Sequence, residues 1–305
     1  MRLNALSSLG LCVLNIAIAL FLAPLFEGIM RKLKAAIHSR QGPPIVQPYL
    51  DILKLLGKED LRTSKGLLYS VAPAITLGSA LLLALLVPMG TSPPLGFAGD
   101  VIVLLYVASM GAVFLMLTAF ASKSPYAYVG GSREMMMLLA VEPVLVISLV
   151  VAAFKAGTLS VGGIVGWHVQ NGPTFSMVIA AIVFFLALQA QVAKLPFDIA
   201  EADQEIMGGP LMEQSGPRFA LFRWAMWVKQ LVFAFLFVEV FVPWPRIGVF
   251  ALDLLFTTLK VLIVLVLVAL IDVVNPRLRV DQALSYFVRV GIIGLAALGF
   301  AVIGL

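Results

Sequence analysis

Eight uninterrupted apolar runs, each close to the length of a bilayer crossing, constrain this chain more than any other feature. They lie near residues 5–30, 67–89, 100–121, 132–154, 174–195, 219–242, 250–272 and 284–304. About 20 apolar residues in a helix cross a hydrocarbon layer of roughly 30 Å, and in lipid a helix satisfies its own backbone hydrogen bonds. Continuous runs exclude a barrel of alternating strands. Composition agrees: 12% of the residues are charged, where soluble domains carry about 25%. The sequence therefore predicts an all-α integral membrane protein: one polytopic domain over 1–305, about eight transmembrane helices, an interfacial helix and a structured acidic cytoplasmic loop. The first run has no small-residue cleavage site, so it reads as a retained span rather than a signal peptide.

Charge is distributed unevenly between the connections. After odd-numbered spans come Arg31, Lys32, Lys34, Arg40, Lys54, Lys58, Arg62 and Lys65, then Lys123 and Arg133, Arg218 and Arg223, and Arg277 and Arg279. The opposite side holds Arg2, Lys155 and Arg246. The positive-inside rule places the first group in the cytoplasm and both termini outside. One cysteine, Cys12, and two distant histidines, His38 and His168, make a disulfide, a cysteine-ligated cluster or a zinc or haem site in this chain unexpected. No P-loop, GxGxxG after a strand, GxSxG or HExxH is present.

Two connections are unusual. In the first cytoplasmic loop (31–66), SRQGPPIVQPYLDILKLLGKED reads as a helix of about ten residues from Pro48 to a stop at Gly57. Tyr49, Ile52, Leu53 and Leu56 form one stripe, and Asp51, Lys54 and Lys58 another. Such a helix either rests on lipid or forms a ledge for a soluble partner; periodicity allows both. In the acidic loop (194–218), Pro196 is suited to open a short helix whose Lys194, Asp198, Glu201 and Glu205 share a face. Glycines and prolines then break the chain around Glu213. These acids either neutralise neighbouring Arg and Lys, including Arg40 and Arg218, or gather carboxylates at the mouth of a proton path.

Ionisable residues inside the spans are costly and imply a partner, water or a function. They are Glu134, Glu142, Lys229, Glu239, Lys260, Asp272 and Arg289, with Asp253 near an end. Glu134 and Glu142 stand about 12 Å apart along one helix, successive stations rather than one shared proton. Asp253 and Lys260 are spaced for a structural pair. Taken together, the set argues for ion movement.

Arg40-x-Gly42-Pro43, then Gln47-Pro48, Asp51, Lys54-Leu55 and Lys58-Glu59 resemble the first cytoplasmic loop of the subunit 1 family of respiratory complex I, the NuoH type. Leu195-Pro196-Phe197-Asp198, Glu201-Ala202, Glu205, Glu213, Ser215-Gly216 and Phe219-Ala220-Leu221-Phe222 resemble its acidic loop. Only Pro44, Ile45 and Val46 separate Gly-Pro from Gln-Pro, and GGPLMEQSG and GSREMMMLLAVEP resemble the membrane subunits of energy-converting [NiFe] hydrogenases, of the formate hydrogenlyase subunit 4 type. The resemblance implies a multi-pass subunit of a bacterial or archaeal cytoplasmic membrane with no redox centre of its own. The [NiFe] centre and iron-sulfur clusters belong to hydrogenase large and small subunits, with antiporter-like membrane subunits alongside, and quinone is not expected. Arg40, Gly42, Pro43, Gln47, Pro48, Asp51, Lys54, Lys58 and Glu59 are then docking residues. Asp198, Glu201, Asp203, Glu205 and Glu213 form the proton-responsive cluster, continued by Glu134, Glu142, Lys229, Glu239 and Lys260. A complex I-like quinone subunit and a free-standing secondary transporter are the alternatives.

Overall fold

A computed structural model describes residues 5–61, 63–64, 66–90, 93–96 and 100–304. Arg2, Arg62 and Lys65, counted in the charge bias, lie outside the described residues. The helices are α1 (Ala5–Ile37), α2 (Gln47–Leu56), α3 (Leu67–Leu86), α4 (Val101–Ala121), α5 (Pro125–Ala156), α6 (Val161–Asn171), α7 (Phe175–Gln191), α8 (Asp203–Ile206), α9 (Gly216–Phe241), α10 (Phe250–Val274) and α11 (Val280–Ile303). A 3-10 turn, Gly209–Leu211, follows α8.

Among the described residues, seven helices are long and apolar enough to cross a membrane. The expected eighth, α7, has 17 residues, about 25 Å and at the short limit for a span. It stops at Gln191 rather than near residue 195. Beyond it, the chain is held by Gln189, whose amide donates to the Leu195 carbonyl at 2.8 Å. Two other ends differ from expectation. α1 continues to Ile37, so Arg31, Lys32 and Lys34 stand on its last turns, and α5 starts at Pro125, so Arg133 is helical. Charged groups at a span's end reach the interface without ending the helix.

The bundle is built around α9, the most buried span, which contacts α1, α2, α3, α6, α7 and α10. Phe184 of α7 packs against Phe237 and Phe241 of α9. Among the described residues, the connections after α1 and α7 lie at one end of the bundle, and those after α3, α5 and α9 lie at the other. Pro24, Pro73 and Pro143 stand inside helices, tolerated where neighbouring helices satisfy the freed carbonyls.

Candidate functional site

The acidic loop is not the helix expected from its spacing. Residues 192–202 are irregular and only Asp203–Ile206 is helical. Tertiary contacts hold this conformation. Phe197 inserts against Tyr286 and Phe287, with centroids at 5.3 and 4.9 Å. Leu195 N–H donates to Asp272 at 3.0 Å, and Leu278 N–H to the Pro196 carbonyl at 3.0 Å. With its backbone groups bonded to α10 and to the connection before α11, the segment has no need of local helix.

Consequently Lys194, Asp198, Glu201 and Glu205 fan outward instead of sharing a face. Lys194 meets Glu27 of α1 at 3.2 Å, Asp198 meets Arg277 at 3.0 Å, Glu201 meets Arg223 of α9 at 3.4 Å and Glu205 meets Arg133 of α5 at 2.7 Å. The neutralising arginines are thus Arg133, Arg223 and Arg277. Arg218 instead pairs with Asp60 at 3.1 Å and lies over the Tyr69 ring, while Arg40 is exposed. Asp203 is exposed; Glu213 is partly buried, its carbonyl accepting from the Tyr69 hydroxyl.

Glu201 occupies the junction. Its side chain is 14% exposed, and Oε1 is buried with no hydrogen-bond partner. Burial pushes it up to about 7; Arg223 opposes that rise, and Asp198 adds to it. The exposed Glu205 moves the other way, held below the usual carboxylate range by its hydrogen bond from Arg133. Glu201 also lines a partly open cavity of about 50 Å³ with Glu134, Lys229, Thr76, Ser79 and Gln191. One water needs roughly 10–15 Å³ and several polar partners, so the space admits a short water chain. Lys229 interacts electrostatically with both Glu134 and Glu142, and Glu142 Oε1 is buried without a hydrogen-bond partner. Glu201, Glu134, Lys229 and Glu142 therefore form one ionisable series from the loop into the bundle.

Glu239 and Lys260 are not continuous with it. Glu239 lies ten residues beyond Lys229 on α9, about 15 Å further, and accepts from Gly90 N–H at 2.8 Å and from Arg246. Lys260 donates to the Val242 and Trp244 carbonyls at 2.9 and 3.3 Å. Asp253 accepts from Ile247 and Gly248 N–H at 2.7 and 3.1 Å. The expected Asp253 and Lys260 pair thus acts as two separate ties on the 242–249 connection.

The first loop is joined to the acidic loop through charges. Gln47 donates to Asp51 at 3.0 Å, Asp51 meets Arg31 at 3.0 Å, Arg31 meets Glu27 at 3.1 Å, and Glu27 meets Lys194. Lys34 pairs with Asp272. Glu27 lies within the first apolar run, where its i,i+4 spacing from Arg31 is the one mark the sequence gives of this role. The expected apolar stripe of α2 divides: Ile52 is buried against the bundle, while Leu53 and Leu56 are exposed with Leu50 and Val46. Pro48 is buried, Gly42 and Pro43 are partly buried, and Lys54, Lys58 and Glu59 are exposed. Between α2 and α9 opens a groove of about 340 Å³ lined by Arg31, Asp51, Leu55, Lys58, Arg223 and Trp227. Arg223 thus faces this groove while holding Glu201 at the inner cavity. Among the described residues, no group of three or more His, Cys, Asp or Glu could hold a metal ion.

Residues 9–303 match the family described as NADH dehydrogenase. Hydrogenase-4 component C of Escherichia coli K12 is 39% identical over 84% of this chain and 84% of its own length. Formate hydrogenlyase subunit 4 of the same organism is 36% identical over 87% of this chain and 90% of its own. A chain in the structure of the membrane-bound sulfane sulfur reductase, an archaeal respiratory membrane complex, superposes with a TM-score of 0.90 at 29% identity, covering 97% of this chain and 99% of that one.

Proposed function

Since the chain belongs to the NADH dehydrogenase family, we propose that it is the membrane-anchor and ion-coupling subunit of an energy-converting hydrogenase complex. Hydrogenase and formate hydrogenlyase relatives support the assignment to a hydrogenase, with [NiFe] and iron-sulfur chemistry carried by large and small subunits and antiporter-like subunits beside it. The chain lies in the cytoplasmic membrane with both termini outside, so that the two long loops meet the soluble module. Lys54, Lys58, Glu59 and Arg40 form the polar edge of that dock, while the exposed Val46, just before α2, and Leu50, Leu53 and Leu56 on it rest in the interface.

One observation carries the ion-coupling role: Glu201, bonded to Arg223 at the groove under α2, shares a cavity with room for a few waters with Glu134 and Lys229. A carboxyl that titrates near neutral pH can take up a proton there and pass it through water to Glu134. Lys229 compensates the charge left behind, and Glu142 is the next station. Asp198, Asp203, Glu205 and Glu213 set the field around the mouth. Glu239 and Lys260 close the far side.

In the intact complex, Glu134→Gln and Glu142→Gln should abolish ion translocation in sealed vesicles while hydrogen evolution with an artificial donor stays within about twofold. Unchanged translocation in both variants would sink the assignment. The groove beside Trp227 and Leu55 favours a second reading, a quinone-reducing subunit. Bound quinone in the purified complex, or inhibition by quinone-site ligands, would establish it instead.

A further inference from the structure

α11 packs on α5 and α7 and turns its other side outward, where Val288, Ile292 and Leu295 are exposed as on a lipid-facing span. Arg289 stands among them and is exposed as well. The other exposed charges of the described spans, Lys32 and Asp281, lie within five residues of a helix end, whereas Arg289 lies nine residues past Val280. The residues beyond it, Val290–Ile303, carry no charge and measure about 21 Å. To fill a hydrocarbon layer of roughly 30 Å, the span must take Arg289 about 9 Å below the headgroups at the acidic-loop end.

A charge at that depth needs a partner, and among the described residues no carboxylate pairs with Arg289. Asp281 shares with it an open hollow of about 350 Å³, lined also by Gln282, Ser285 and Tyr286. That acid is taken by Arg279 at 3.2 Å, and it stands two turns back, about 12 Å along the helix. Two features of the same face favour a second helix over snorkelling to lipid phosphate. Gln282, Ser285, Arg289 and Ala296, all exposed, fall within about 40° of one line, so hydrogen-bonding groups flank the arginine. Past it the line reaches small residues, for Ala296 is followed on the exposed side by Gly299, where an added Cβ would have no neighbour within 4 Å. Small residues let a second backbone come close, and polar pairs join helices in lipid, where apolar surface alone gives little drive to associate.

We propose that this face of α11 seats a transmembrane helix of a neighbouring subunit, which brings an Asp or Glu side chain to Arg289 and passes close over Ala296 and Gly299. The guanidinium can hold such a carboxylate through two parallel hydrogen bonds. The inference rests on the reading of the chain as one subunit of a membrane complex, and adds the face and the chemistry by which a neighbour is held there.

The test places the photo-cross-linker benzoylphenylalanine at Ala296 in the complex purified from membranes. Irradiation should join the chain to one co-purifying membrane subunit, at a span that carries an Asp or Glu about two turns from the cross-link. Arg289→Leu makes the span more apolar and so favours its insertion, yet it should lower recovery of that subunit with the tagged chain about tenfold; Arg289→Lys should largely keep it. Arg289→Glu should lose the subunit too, and exchange of the mapped carboxylate for lysine should restore it, which no folding defect of the variant would allow. Cross-linking to phospholipid alone or to a second copy of this chain, or full recovery with Arg289→Leu, would overturn the proposal while the complex-subunit reading stands. A chain that purifies with no other membrane subunit would overturn both.

Discussion

Among single residues, Glu201 carries the sharpest expectation. Between the ordinary carboxylate range and about 7, the folded chain keeps a proton on Glu201 that the unfolded chain has lost. Its contribution therefore falls as pH rises through that window, because the folded state binds more protons. Infrared difference spectra should show a protonated-carboxyl band that disappears near pH 7 and is absent in Glu201→Gln; a band gone by pH 5 would contradict the burial argument. Asp272 tests structure instead of chemistry. It is 5% exposed, pairs with Lys34 and accepts from Leu195 N–H. Asp272→Ala should cost about 3 kcal/mol in detergent unfolding, the low end for a broken buried pair because Lys34 is 29% exposed. That Asp272 needed a partner was legible in its apolar surroundings. Which partner it took was not, since Lys34 is more than two hundred residues away.

The elements differ in how far local rules governed them. α2 forms where Pro48 and Gly57 mark it, because a helix start and stop are set by neighbouring residues. Its buried side was readable only in part: of the expected stripe Ile52 is buried and the Tyr49 hydroxyl donates to the Phe21 carbonyl of α1, while Leu53 and Leu56 are exposed. The acidic loop defied its own periodicity because Phe197, Leu195 and Pro196 find better partners on α10, α11 and the connection between them. Two glycines allow the loops to lie this close. A Cβ on Gly28 would clash with the Ile45 carbonyl oxygen, and one on Gly130 would meet Gly209 Cα at 2.7 Å and Pro210 N at 2.8 Å. Gly130→Ala should lower stability by about 1–3 kcal/mol and expose the 194–215 segment to limited proteolysis. Unaltered cleavage would mean that α5 does not seat the loop.

At the scale of the molecule, orientation and partnership carry the expectations. In a Cys12→Ser background, a cysteine at Asp203 should react with an impermeant maleimide only from the cytoplasmic side, and one at Gly304 only from outside; the reverse pattern would invert the orientation derived from Arg and Lys placement. Reconstituted alone, the chain should leave an imposed proton gradient intact, whereas a free-standing transporter would dissipate it. The sequence by itself determined that the chain is helical, that it spans the membrane repeatedly and that two polar loops interrupt it, because each follows from the solvation of a single segment. Only the tertiary structure decided which charges meet. Glu201 joins Arg223, Glu134 and Lys229, and Glu239 stands apart with Arg246, because the burial that tunes such groups comes from elements distant in the chain packing around α9.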